Sequence, residues 1–171
     1  MGQYYKAINR ETMEWVSPYD YNNGAKLMEH SYIGNSYVEA VEFLLIEGNR
    51  WHLKPIVWAG DYADKERGKG ENLYTLAKKP SLQMLIEAVP EDYHFLINAD
   101  AKEYVDKRKC PTFNDDWQIH PLPLLTADGN GRGGGDYHES SVYVGRWSGQ
   151  RIALVKEIPD EYKEIEPNFI E

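Results

Sequence analysis

The densest concentration of residues able to do chemistry is Gly129-Asn130-Gly131-Arg132-Gly133-Gly134-Gly135-Asp136-Tyr137-His138-Glu139. Glycines at this density free the backbone to adopt positive φ, so successive N–H groups can curl into an anion nest, with the Arg132 guanidinium as a fork for phosphate or carboxylate. Asn130, Gly133, Gly134, Gly135, Asp136 and His138 complete this candidate ligand-binding set. The Gly-Lys-Ser/Thr ending of a P-loop is missing and no dinucleotide fingerprint is present. A plain hairpin tip would have the same composition.

A second chemical segment is Trp58-Ala59-Gly60-Asp61-Tyr62-Ala63-Asp64, which follows an apolar run. Asp61 and Asp64 at a strand end can accept hydrogen bonds from ligand hydroxyls, serve as acid and base, or simply close a turn. Trp58 and Trp147 are the rings expected to stack on a ligand.

Metal and nucleophile chemistry have less to stand on. His30, His52, His94, His120 and His138 show no ligand spacing, and on an extended segment Asp136 and His138 can share a face but Glu139 points to the other, so the three cannot hold one ion and no metal or cofactor is expected. Cys110, the only cysteine, has no sequence cue for a partner and reads as a packing residue; Ser140-Ser141 lacks a nucleophile elbow. The basic run KERGKG from Lys65 to Gly70 reads as a solvated loop that could add charge to a phosphate site.

The elements that must hold these segments are organised by an internal repeat. YYKAINRETMEWVS from Tyr4 resembles YHFLINADAKEYVD from Tyr93, and each predicts a β-hairpin opening one half of the chain, about 1–89 and 90–171. Leu44 to Asn49 resembles Leu125 to Asn130, and Arg50-Trp51 recurs as Arg146-Trp147, with Gly131 to Gly145 inserted in the second half only. Ser36 and Glu39 form a capping-box pattern predicting a helix over 36–47 with Gly48 as its stop. Further helices are expected over 72–79 and 81–89, whereas Pro121 and Pro123 argue against a helix in the second half. Strands are expected at 57–58, 142–147 and 151–155, with a turn at Ser148-Gly149, and an acidic tail from Glu157 docks an edge or frays. The expectation is one α+β domain with a mostly antiparallel sheet and helices on one side.

The chain has 171 residues, 42% hydrophobic and 27% charged, which suits a single folded domain. A net charge of −9 argues against duplex nucleic acid as a partner, because such proteins draw affinity from Lys and Arg on phosphates. One cysteine forms no intrachain disulfide, and with no signal-peptide pattern or membrane-length apolar run the expected setting is the cytoplasm, away from membranes.

Taken together, MGQYYKAIN, KLMEHSYIGN, VWAGDYAD, INADAKEYVD, HPLPLLTADGNGRGGGDY and GRWSGQRIALV resemble a group of small bacterial and phage proteins that open MGQYY and carry WAGDYAD and GNGRGGGDY segments. The resemblance implies a bacterial or phage cytoplasmic setting and no particular reaction. Similar proteins often read RWAGD where this chain has Arg146-Trp147-Ser148-Gly149-Gln150, and the acid lost at Gln150 weakens a catalytic role for that turn.

The leading expectation is non-enzymatic binding of an anionic small molecule, such as a nucleotide or a second messenger sequestered by a phage. One alternative is a hydrolase or transferase acting on a phosphoester or glycosidic bond, with Asp61, Asp136, His138 or Glu139 as acid, base or ligand. Another is an interaction module whose aromatic strands pair with a partner protein or a second copy, so a homo-oligomer is among the expectations.

Overall fold

The computed structural model describes residues 3–83, 89–129 and 142–169. Its strands are β1 (Tyr5–Asn9), β2 (Glu14–Val16), β3 (Lys54–Gly60), β4 (Phe95–Asn98), β5 (Glu103–Asp106), β6 (Thr112–Phe113), β7 (Trp117–Gln118), β8 (Ala127–Asp128), β9 (Gln150–Val155) and β10 (Lys163–Glu164). Its α-helices are α1 (Leu27–His30), α2 (Ser36–Leu44), α3 (Leu73–Leu76) and α4 (Pro121–Thr126). The main sheet runs β10-β5-β4-β9-β3-β1-β2, with β8 added beside β3. Only the β10–β5 and β8–β3 pairs in it are parallel, so the fold is α+β with a mostly antiparallel sheet.

The hairpins form where the aromatic and β-branched runs flank short polar turns. Ala7, Ile8 and Asn9 face Val16, Trp15 and Glu14 in the first, and Leu96, Ile97 and Asn98 face Val105, Tyr104 and Glu103 in the second. Met13 and Lys102 both turn the chain at positive φ, 63° and 53°. Each hairpin lies against a longer strand, β1 on β3 and β4 on β9, and these two strands meet at the sheet centre with Pro55 opposite Arg151.

The same clamp, a buried Glu and Trp with an exposed arginine, also occurs twice. The Glu14 carboxylate accepts from Arg50 Nε at 2.6 Å and Trp51 Nε1 at 3.2 Å, and Glu103 accepts from Arg146 Nε at 3.1 Å and Trp147 Nε1 at 3.0 Å. Both carboxyls lie below the usual carboxylate range, chiefly because of the arginine hydrogen bond. Trp51 and Trp147 in turn donate their backbone N–H to Leu44 and Leu125 O.

One sheet face carries Ala7, Val16, Ile56, Trp58, Leu96, Val105, Ile152 and Leu154 into the main core under α1, α2 and α4. The other face buries Ile8, Val57 and Ala59 under Leu73 of α3 and Ala77. Helices therefore cover both faces, correcting the one-sided expectation, because a sheet central enough to be apolar on both faces needs two covers. The acidic tail docks rather than frays: β10 pairs with β5, and Ile165 and Phe169 are buried.

Several local expectations are corrected. Asn35, not Ser36, caps α2, its side chain accepting from Val38 N at 3.0 Å, and the helix ends at Leu44, short of Gly48. The 72–79 helix is the short α3, while 84–88 of the 81–89 helix lie outside the described residues. A helix does form at Pro121 and Pro123. Both prolines sit in the first turn, where N–H groups have no intrahelical acceptor, so their missing donors cost nothing. Residues 142–149 are turns, not a strand: Gly145 bends at φ 82° and its N–H bonds Leu124 O.

Candidate functional site

The parallel pairing of β8 with β3 sets Ala127 beside Trp58 and Asp128 beside Ala59. The two strands therefore leave the sheet at the same end, one continuing into Gly60-Asp61-Tyr62 and the other into Gly129. Residues 130–141 lie outside the described residues, and with them Asn130, Arg132, Gly133, Gly134, Gly135, Asp136, His138 and Glu139.

At the root of this exit both glycines are closely approached by side-chain ends from the start of the chain. A Cβ on Gly60 would stand 2.1 Å from Gln3 Oε1, and one on Gly129 would stand 2.8 Å from Tyr5 Oη. Asp61 is held as an extension of the sheet: its Oδ1 accepts from Tyr4 N at 2.9 Å, its N–H donates to Tyr4 O at 2.9 Å, and its carbonyl accepts from Asn72 Nδ2. Asn72 also caps α3 through Thr75 N, so one side chain ties the exit to the helix below it. Asp64 is exposed.

Asp128 is a further acid at this end. Burial raises its carboxyl above the ordinary range, and the charges of Glu66 and Asp64 add to the effect while Arg10 opposes it. Arg10 bonds Glu66 at 3.0 Å, and beside this pair lies a hollow of about 280 Å³ lined by Arg10, Glu66, Arg67 and Lys69. The basic run thus adds Arg67 and Lys69 to Arg10 around this hollow, which Leu73 and Leu76 of α3 also line. Asp128 is given no role by the sequence alone, because its environment comes from burial and from Glu66, Asp64 and Arg10, which are distant along the chain.

Trp58 and Trp147 do not serve as stacking platforms. Both rings are fully buried, Trp58 donating to His30 Nδ1 at 2.9 Å and Trp147 donating to Glu103. The exposed rings near the exit are Tyr4 and Tyr62, 46% and 53% accessible. Cys110 is buried, and burial pushes its thiol up to about 12, so it is no nucleophile at neutral pH. Among the described residues no three His, Cys, Asp or Glu side chains are grouped to hold a metal ion, and no helix is long and apolar enough to cross a membrane.

Comparison with known proteins finds no matching family model, curated protein or solved structure.

Proposed function

We propose that the chain binds a small anionic molecule of nucleotide type at the shared exit of β3 and β8. The observation that supports this most is the hollow lined by Arg10, Arg67 and Lys69, whose Arg10 and Glu66 bear electrostatically on Asp128, the residue before the glycine-rich segment. Phosphate groups are taken by these cations and by Arg132 with the Gly131–Gly135 amides. Asp61 and Asp128 face ligand hydroxyls, and Tyr62 replaces the tryptophans as the stacking ring.

Thermal-shift measurement against nucleotides, cyclic dinucleotides and ADP-ribose derivatives tests this, since a ligand of the native state alone raises the melting temperature. The shift should be lost in Arg132→Ala and weakened in Arg67→Ala/Lys69→Ala. A shift that both variants keep would defeat the proposal.

A second reading, a hydrolase or transferase, draws on the raised Asp128 carboxyl, which suits a general acid. It requires turnover of a bound phosphoester or glycoside that Asp128→Asn abolishes.

A further inference from the structure

A separate cleft of about 190 Å³ opens between the first turns of α2, the segment around Tyr93, and the residues that follow β5. Its floor is ionic. Glu42, whose side chain is only 2% exposed, accepts from Lys107 Nζ at 2.5 Å, and His120 Nε2 stands 2.9 Å from its other oxygen without an aligned hydrogen bond. His120 Nδ1 accepts from Leu122 N at 3.2 Å, so that nitrogen keeps its lone pair and the ring proton sits on Nε2, facing Glu42. Burial works to raise the Glu42 carboxyl, and His120 and Lys107 more than reverse this and hold it low. Burying such a group costs several kcal/mol per ion, and apolar replacements are often as stable, so stability alone does not explain an ionic floor beneath an open cleft.

We propose that this cleft binds a small zwitterion, a free α-amino acid with an apolar side chain. Among the described residues Lys107 Nζ makes one side-chain hydrogen bond, to Glu42, which anchors it with two further N–H groups for a ligand. Arg108 binds Asp106 through Nε and Nη2, which leaves Nη1 for a ligand carboxylate. Glu39 and Glu91 also line the cleft and match an ammonium. Because both signs line so small a space, a singly charged ligand would meet its own sign as well as the opposite one, whereas a zwitterion satisfies both. Ile33, Val89 and Tyr93 supply an apolar wall for a side chain. The volume falls below the roughly 300–1,000 Å³ of pockets for drug-sized ligands, as an amino acid requires.

Isothermal titration of the full chain with leucine and phenylalanine, each beside its decarboxylated amine and its deaminated acid, tests this. Millimolar or tighter binding of an amino acid is expected, with each singly charged analogue weaker by about tenfold or more. Arg108→Gln and Glu91→Gln should each weaken binding about tenfold while circular dichroism stays native, and Arg132→Ala should leave it unchanged. No heat with any proteinogenic amino acid, or equal binding of the amine or acid analogue, overturns the proposal without touching the strand-exit site.

Discussion

Acidification should destabilise the protein through His30 before its carboxylates titrate. His30 is fully buried, with Tyr37 edge-on at 4.9 Å between ring centroids. Its Nδ1 accepts from Trp58 Nε1 at 2.9 Å, so Nε2 carries the proton and donates to Gly24 O at 2.8 Å. A second proton has no lone pair to join unless the Trp58 bond breaks. Burial accordingly pushes the pKa from 6.5 to about 4, against the pull of the Gly24 carbonyl.

Between those values the unfolded chain binds a proton that the native chain refuses, so stability rises with pH there. The contribution is complete above 6.5 and is lost as the pH falls toward 4. At about 1.4 kcal/mol per pH unit the full loss is about 3 kcal/mol, of which about 2 kcal/mol falls between pH 7 and 5. Urea unfolding of wild type and His30→Asn, followed by tryptophan fluorescence at both pH values, measures it. The Asn amide oxygen keeps an acceptor for Trp58 without a titrating ring. The variant is less stable at pH 7, and its deficit should shrink by about 2 kcal/mol at pH 5. A deficit constant to within about 0.5 kcal/mol would show that His30 does not resist protonation in the folded state.

Three further outcomes are expected. Lys6 lies over the Trp15 and Tyr74 rings at 3.8 and 4.3 Å, and burial lowers its pKa to about 8. The unfolded chain holds that proton to a higher pH, so wild type should gain stability relative to Lys6→Met as the pH rises above 8 in denaturant titrations. Glu14→Ala and Glu103→Ala each strand a buried indole N–H and should each cost about 2–4 kcal/mol in urea melts; a loss under about 1 kcal/mol at either would mean the clamp is not structural. The Cys110 thiol should resist maleimide at pH 7 in the native chain and react within minutes in urea, as mass spectrometry would record.

The hairpins, the middle of β3 and most of β9 were legible in the sequence because they are local: two β-prone runs flanking a polar turn predict a hairpin, and a short apolar run predicts a strand. The strand exit at Gly60 and Asp61 was legible for the same reason. What tertiary structure decided is where side chains end up. Nothing adjacent to Trp58 or Trp147 in sequence reveals that His30 and Glu103 will enclose and satisfy their indoles. Pro121 and Pro123 read as helix breakers until the helix start is placed at His120, which turns both missing N–H groups into positions that need none.

The region after Val142 failed as a strand because the N–H groups of Gly145 and Trp147 are taken by the Leu124 and Leu125 carbonyls rather than by a sheet neighbour. The gathering of Arg10, Arg67 and Lys69, and of Glu42 with Lys107 and His120, spans up to 78 residues of sequence, Glu42 to His120 being the longest step. Periodicity and spacing report on the nearest few residues, whereas charge pairing over such distances exists only once the sheet has closed.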